Sequence, residues 1–323
     1  MFLLLALIGN IYIKYPDKKA HLIVCDVGQG DAILISQGFF QLLIDTGPDE
    51  KLLTCLNDNV PFWDKKIDVL ILTHFDADHV GGFIELSNFY EIGNLFLPLT
   101  EYKESDLYLE LKERLLALKE AGTVIKEPFL GQQIAFYNFT RGNMAKYNSI
   151  EPLFFTFLTP FRLNSEKYAQ LEENNAFSWE KAETILSDKK MSEMADEISE
   201  NDGSIVLLMQ YGLLSTLLVG DLESTGEEAL LELSLINKVD LLKVGHHGAK
   251  TSSGLPFLLE TRPETSLISV GENNKFDHPS PEVLSALESI SSRVFRTDQQ
   301  KELHFILEED FFYLKDKKTV FPF

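Results

Sequence analysis

Apolar and polar positions fall into two recurring patterns along this chain: short apolar runs bounded by turn residues, and longer segments with helical spacing. Residues 21–27, 32–36 and 39–44 are runs rich in Ile, Leu, Val and Phe, separated by Gly28-Gln29-Gly30-Asp31 and by Gln37-Gly38. Runs of that length between turn residues predict a meander of strands. A helix over about 50–57, a strand over 67–72, a loop at 73–82 and a helix over 83–90 follow. Next come a strand at 94–98 and a long helix over about 105–121, in which Leu107, Leu109, Leu111, Leu115, Leu116 and Leu118 predict an apolar stripe. Two further strands are predicted at 133–139 and 153–158.

Residues 165–202 break the pattern, with eleven Asp or Glu against four Lys. They read as an acidic surface insertion, partly helical or flexible. A substrate-gating lid is the functional alternative, since long loops are sometimes functional. The pattern then resumes with strands at 204–211 and 214–219, a helix over about 224–236 and a strand at 239–244. A short helix near 254–260, a strand at 266–270 and a helix starting at Ser280 or Pro281 follow, the proline suiting a first turn. Strands at 293–296, 303–307 and 311–314 close the chain. The two halves share one grammar, strands followed by strand-loop-helix units, without an internal repeat of fixed period.

With 323 residues and 45% hydrophobic side chains, the chain can bury a core as one large domain or two small ones. A formal charge of -21 counts against a broad nucleic-acid-binding face, because phosphate recognition relies on patches of Lys and Arg. It leaves room for a site in which metals and a few local cations hold one phosphate. Cys25 and Cys55 lie in or near apolar stretches and read as small buried hydrophobes, not as a disulfide framework or a metal-binding pair. Residues 1–13 are almost wholly apolar, yet shorter than the roughly 17 to 25 residues of a spanning helix. No Lys or Arg precedes them and no small-residue cleavage site follows, while Lys14, Lys18 and Lys19 favour leaving that side in the cytoplasm. Residues 1–19 therefore read, in order of preference, as a weak membrane anchor, the end of a membrane domain or an extra edge element, and 20–323 as the main domain.

Candidate chemistry gathers in loops that follow strands. Thr73-His74-Phe75-Asp76-Ala77-Asp78-His79-Val80-Gly81-Gly82 puts two imidazoles and two carboxylates within six positions of each other. Without a cation such groups would repel and desolvate one another, and a divalent metal removes that penalty. Asp221 follows the strand at 214–219, His246 and His247 the strand at 239–244, and His278 the strand at 266–270. Loops converging on one edge are what a built site requires. At the end of an apolar strand an unpaired Asp221 would be costly, whereas a carboxylate bridging two cations is satisfied. Asp31 and Asp45 read either as turn-capping residues or as carboxylates that orient metal-binding histidines. His21 and His304 read as structural.

The His74, Asp76, Asp78 and His79 spacing resembles the metallo-β-lactamase superfamily signature His-x-His-x-Asp-His, with Asp76 standing where many members have the second His. More narrowly, six stretches are similar, in order, to motifs of the metallo-β-lactamase domain of the ComEC family of DNA-uptake competence proteins. They are residues 26–32, Leu43-Ile44-Asp45-Thr46-Gly47, residues 73–82, Gly220-Asp221, Lys243-Val244-Gly245-His246-His247-Gly248 and residues 271–279. The resemblance runs from about residue 20 to about residue 300. Arg296-Thr297-Asp298-Gln299 is similar to the family's ending, but Gln300-Lys301-Glu302 stands in place of a glycine turn, which touches a hairpin more than the site.

The resemblance implies an α/β (α+β) fold, a four-layer αββα sandwich with a dinuclear metal site between its sheets. His74 and Asp76 would bind one ion, Asp78 and His79 the second, and Asp221 would bridge. One of His246 and His247 would complete the second site, with His247 favoured as ligand and His246 as its neighbour. Many members place a further His between the first motif and the bridging Asp. None occurs here between His79 and His246, and the related position falls near residues 201–204. A site richer in oxygen shifts preference from Zn²⁺ toward Mn²⁺, with Mg²⁺ a third candidate. Two divalent ions about 3.5 to 4 Å apart lower the pKa of bound water and offset charge on phosphate oxygens, which suits phosphodiester hydrolysis. Asp78, His246 and His278 are the candidate catalytic groups, His278 or the non-ligating member of the pair donating a proton to the leaving oxygen or holding the phosphate. The function implied is a metal-dependent nuclease degrading DNA, single-stranded in the leading reading, during uptake beside a separate membrane channel domain or protein. That places it at the outer face of the cytoplasmic membrane, with a soluble cytoplasmic protein as the alternative. The competing functions are a stand-alone hydrolase of a small phosphodiester or ester and a non-catalytic metal-binding module.

Overall fold

A computed structural model describes residues 14–98, 106–136, 151–159, 199–315 and 319–322. The apolar stretch at 1–13 and the acidic insertion as far as residue 198 lie outside the described residues. Strands in chain order are β1 (Ala20–Val24), β2 (Ile33–Gln37), β3 (Phe40–Ile44), β4 (Lys66–Ile71), β5 (Glu91–Phe96), β6 (Val124–Lys126), β7 (Gln133–Phe136) and β8 (Leu153–Phe157). They continue with β9 (Leu207–Tyr211), β10 (Leu214–Leu218), β11 (Leu241–Lys243), β12 (Thr265–Ile268), β13 (Arg293–Arg296), β14 (Leu303–Leu307), β15 (Phe311–Leu314) and β16 (Thr319–Pro322). The described helices are α1 (Lys51–Asn59), α2 (Ala77–Val80), α3 (Phe83–Phe89), α4 (Asp106–Glu120), α5 (Ser224–Glu232), α6 (Leu255–Thr261), α7 (Pro281–Ser289) and α8 (Thr297–Gln300).

Two mixed sheets form. One has nine strands in the order β16-β15-β14-β1-β2-β3-β4-β5-β6, and the other seven in the order β13-β12-β11-β10-β9-β8-β7. Alternate side chains of each strand go to different apolar layers. Leu22 and Val24 of β1, Leu42 and Ile44 of β3, Leu218 of β10 and Phe305 of β14 share the layer between the sheets. Ile23, Leu43 and Leu70 point the other way, against Leu52 and Leu56 of α1, Phe83 and Leu86 of α3 and Leu111 of α4. Leu217 and Leu242 pack outward from the second sheet against Leu230 of α5, Phe257 and Leu258 of α6 and Leu287 of α7. Three apolar layers between four layers of structure make the expected αββα sandwich, and strands covered on both faces explain why their sequences read as nearly continuous apolar runs.

Three sequence expectations change. The leucine stripe of α4 is narrower than its composition suggests: Leu111 is buried and Leu107, Leu115 and Leu118 are partly buried, but Leu109 and Leu116 are exposed. Cys25 and Cys55 are not separate buried thiols; they form a disulfide, with Cα atoms 5.8 Å apart. Cys25 follows β1 on the face that α1 covers, and Cys55 is on the inner side of α1, so the sandwich brings together residues whose spacing of 30 signalled nothing. In the closing segment α8 replaces a tight glycine turn, and Lys301 itself takes the left-handed φ of 64° that glycine would have taken.

Candidate metal centre

β3 and β4 run parallel, as do β10, β11 and β12. β1 pairs antiparallel with β2, and β2 antiparallel with β3, so the end of β1 lies at the same edge as the ends of β3 and β4. The loops leaving these strands therefore converge at one end of the sandwich, where ligands bind in sheets of this kind. Backbone hydrogen bonds lock the loops together. Thr46 N–H donates to His79 O (2.7 Å), Asp31 N–H to Asp78 O (3.2 Å), and, across the sheets, Ile205 N–H to Thr73 O (2.9 Å). The Ser269 hydroxyl donates to Gly30 O (2.6 Å). Gly30 has to be glycine, because a Cβ there would stand 2.1 Å from Asp78 O on a backbone with φ of 135°.

Asp221, just beyond β10, is the hub. Its Oδ2 lies 3.3 Å from His79 Nε2, 3.4 Å from His247 Nε2, 3.7 Å from His246 Nε2 and 4.0 Å from His74 Nε2. His247 Nε2 is also 3.3 Å from Asp78 Oδ2, and His74 Nε2 is 3.8 Å from Asp76 Oδ2. The buried Nε2 atoms of His74, His79 and His247 and the buried Oδ1 of Asp221 make no hydrogen bond. Buried polar atoms normally have partners. Three unpartnered imidazole nitrogens aimed at one carboxylate are the donor set that a divalent cation fits, and His74, His79 and Asp221, or Asp78, His79 and His247, are close enough together to hold one.

The other nitrogen of each imidazole is fixed by the protein. His79 Nδ1 lies 2.8 Å from Asp45 Oδ2, and the same carboxylate accepts from Thr73 N–H (2.7 Å) and the Thr73 hydroxyl (2.6 Å). Asp45 thus reaches away from its own turn, to the His79 imidazole on one side and the Thr73 backbone and hydroxyl on the other. His247 Nδ1 donates to Ser269 O (2.9 Å) and is 3.4 Å from Asp31 Oδ1. Asp31 Oδ2 is paired with Lys243 Nζ at 2.7 Å, both side chains being buried. His246 is partly exposed, and its Nδ1 is 2.8 Å from Glu223 Oε1. Both His246 and His247 have left-handed backbones, with φ of 43° and 54°, the kind of strain that collects at functional sites.

Burial holds the His74 imidazole down at about 3, helped by neighbouring His79. Burial also opposes the charged form of His247, but Asp221 and Asp31 outweigh it and raise the ring to about 9. His79 is likewise raised well above its ordinary value, against burial, by Asp221 and Asp45. Asp221, which burial alone would raise, is driven well below the usual carboxylate range by His247 and His79. The site is therefore polarised around one anion, with positive charge favoured at His79 and His247 and disfavoured at His74.

Of the residues singled out in sequence, His74, Asp76, Asp78, His79, Asp221, His246 and His247 come together, with Asp31 and Asp45 behind them. His278 stands outside the buried cluster, its ring centroid 5.7 Å from that of His246. His21 and His304 pair with each other at 2.8 Å, in a chain that continues to Asp17. Glu223 carries no motif signal of its own, and Lys243, although it opens the stretch from Lys243 to Gly248, is assigned no role by that motif. For Lys243 the clue was an unpaired charge inside the run Leu241-Leu242-Lys243-Val244. At residues 201–204, where the absent histidine would fall, Asn201 Nδ2 is 3.5 Å from His246 Nδ1 and Ser204 Oγ accepts from Asp221 N–H (3.2 Å).

A sequence profile described as the metallo-beta-lactamase superfamily matches residues 25–128, which include Asp31, Asp45 and the whole loop from His74 to His79. Over 314 residues the chain is 31% identical to ComE operon protein 3 of Bacillus subtilis (strain 168), covering 90% of this chain and 34% of that protein. The chain is thus similar to the metallo-beta-lactamase superfamily over residues 25–128 and to this competence-operon protein over nine tenths of its length. Competence protein ComA of Neisseria gonorrhoeae is 26% identical over 297 residues, with 90% of this chain and 33% of that protein covered. Recombination protein 2 of Haemophilus influenzae is 26% identical over 303 residues, with coverage of 92% and 30%. The chain spans about a third of the length of these curated relatives. Among solved structures, a mutant of the CmlA beta-hydroxylase superposes with a TM-score of 0.51 at 12% identity, covering 90% of this chain and 55% of that one, a likeness of fold alone.

Proposed function

We propose that this metallo-beta-lactamase domain is a metal-dependent phosphodiesterase that cuts DNA. The observation that carries the reading is the convergence of unpartnered, buried His74, His79 and His247 Nε2 atoms on the Asp221 carboxylate. In this reading His74 and Asp76 would hold one divalent ion and Asp78, His79 and His247 a second, with Asp221 as a ligand shared between them. The bound ions supply Lewis-acid activation of water and offset charge on the phosphate. Asp45, Asp31 and the Ser269 carbonyl keep the imidazoles turned inward, as outer partners of metal-binding histidines do. His246 is left free to transfer a proton, with Glu223 fixing its Nδ1 and its Nε2 turned toward Asp221. Asp76 in place of an imidazole makes the first site richer in oxygen and favours Mn²⁺, or Mg²⁺, over Zn²⁺.

The competence-protein relatives support DNA as the substrate and a working position beside a membrane channel. The Cys25–Cys55 disulfide supports the outer, oxidising face of the cytoplasmic membrane. Among the described residues no helix is long and apolar enough to cross a membrane. The formal charge of -21 favours a second reading, hydrolysis of a small phosphodiester that needs no basic groove.

The test is incubation of the purified protein with labelled single-stranded DNA and with bis-p-nitrophenyl phosphate in Mn²⁺, Mg²⁺ or Zn²⁺, beside Asp76→Ala and Asp221→Asn and with elemental analysis. The expected result is cleavage of both substrates, lost on chelation and in Asp221→Asn. Cleavage of the small ester alone would sink the DNA reading, and a protein that retains no metal and cleaves nothing would sink both.

A further inference from the structure

The loop joining β12 to α7, residues 271–279, forms a rim of the metal centre beside His246. Its conformation is built from within. Asn274 Nδ2 donates to Gly271 O (3.1 Å) and His278 O (2.8 Å), while Asn274 Oδ1 accepts from Phe276 N–H (3.2 Å) and His278 N–H (3.0 Å). Asn273 and Asp277 both take a left-handed φ of 57°, which their short polar side chains tolerate better than most. Gly271 ties the loop to the turn between β1 and β2: its N–H donates to Gln29 Oε1 (3.2 Å), and a Cβ on it would stand 2.7 Å from Gln29 N. The effect of this bracing is to hold the Phe276 ring out in solvent, 52% exposed.

Phe276 stacks on His278, with centroids 5.7 Å apart and planes 18° from parallel. His278 in turn meets His246 nearly edge-on at 5.7 Å, and His246 Nε2 is 3.7 Å from Asp221 Oδ2. Three aromatic rings therefore lead from the bridging carboxylate to the surface. The Lys275 ammonium lies 5.0 Å from the centroid of the outermost ring. An aromatic ring presented by a pre-organised loop, beside a cation and one ring away from a hydrolytic centre, is a stacking platform in the wrong place for a protein core and the right place for a substrate.

We propose that Phe276 and His278 form a stacking subsite for an unpaired nucleobase adjoining the scissile phosphodiester, with Lys275 meeting a neighbouring phosphate. The proposal rests on the phosphodiesterase reading above and adds what the substrate must carry. Stacking tolerates any sequence, because every base has a π face. It requires a base whose face is not already covered by a duplex neighbour, so the substrate class is single-stranded nucleic acid.

The test compares the full chain and Phe276→Ala in Mn²⁺ on an oligothymidylate and on an abasic oligomer of the same length. For the wild type, KM on the abasic oligomer should exceed that on oligothymidylate by about tenfold or more. Phe276→Ala should raise KM on oligothymidylate by a similar factor, and removing the bases after that substitution should add less than about twofold, because one interaction has been removed twice. Phe276→Trp, which keeps a ring, should retain base discrimination. Fluorescence anisotropy of the same labelled oligomers with the metal chelated reads binding without turnover. Discrimination lost in Phe276→Ala with no cleavage in any metal would refute the hydrolytic reading and leave the subsite standing. Cleavage whose base dependence is the same in wild type and Phe276→Ala would refute the subsite and leave the hydrolytic reading standing.

Discussion

Replacing Lys243 by Met tests the buried charge pair beneath the metal centre. Lys243 ends β11, is 1% exposed, and its ammonium donates to Val244 O (2.9 Å) and pairs with Asp31 Oδ2 at 2.7 Å. Burial pushes the Asp31 carboxyl up, but Lys243 and then His247 hold it well below the usual carboxylate range. Methionine fills much of the same volume and leaves that carboxylate buried without its cation. Breaking such a pair costs about 3 to 5 kcal/mol, out of a total stability on the order of 5 to 15 kcal/mol. With a urea slope of about 3 kcal/mol/M, the unfolding midpoint should fall by about 1 M or more. Asp31→Leu added to Lys243→Met removes the stranded charge and should restore most of the loss, since apolar replacements of buried pairs are often neutral. The rescued protein should still bind Mn²⁺ about tenfold or more weakly in calorimetry, because Asp31 no longer stands 3.4 Å from His247 Nδ1. A loss under about 1 kcal/mol in Lys243→Met, or a double variant no more stable than the single one, would refute the argument.

The Cys25–Cys55 bond closes a loop of 30 residues, for which the chain-entropy estimate is about 3 to 4 kcal/mol. Urea melts with and without a phosphine reductant should differ by that amount, and alkylation of the unfolded, unreduced protein should find no free thiol; labelling of both cysteines would contradict the pairing. Glu227 should make stability fall with rising pH. Its carboxylate accepts from Ser253 N–H and Gly254 N–H, and burial, with Asp202 and Glu223 near it, raises it from 4.5 to about 7. The folded state keeps a proton that the unfolded chain releases, so this contribution is complete below pH 4.5 and is lost as pH rises to about 7. At about 1.4 kcal/mol per unit, Glu227→Gln should flatten the change in urea midpoint between pH 5 and pH 8. Parallel slopes for wild type and variant would count against it.

Much of the site was legible because it is locally concentrated. His74 to His79 bring four ligand types into one short loop after an apolar strand, and Asp221 and His247 each follow apolar runs, so their positions at strand ends could be read from pattern alone. The α4 stripe could have been read better. Leu107, Leu111, Leu115 and Leu118 are spaced four, four and three apart on one face, while Leu109 and Leu116 fall off it. The pairings were not legible. Cys25 with Cys55, Lys243 with Asp31 and Glu223 with His246 each join segments that periodicity treats independently: the first pair meets within the first sheet and its covering helix, the last between neighbouring loops of the second sheet, and Lys243 with Asp31 only when the two sheets close on each other. The same holds for the metal centre as a whole. His74 and His79 hang from the first sheet and Asp221 and His247 from the second, joined by contacts such as Ile205 N–H to Thr73 O and Ser269 Oγ to Gly30 O. A cation held between the sheets therefore binds only when both halves are folded against each other, so in the proposed function metal affinity and the stability of the sandwich rise and fall together.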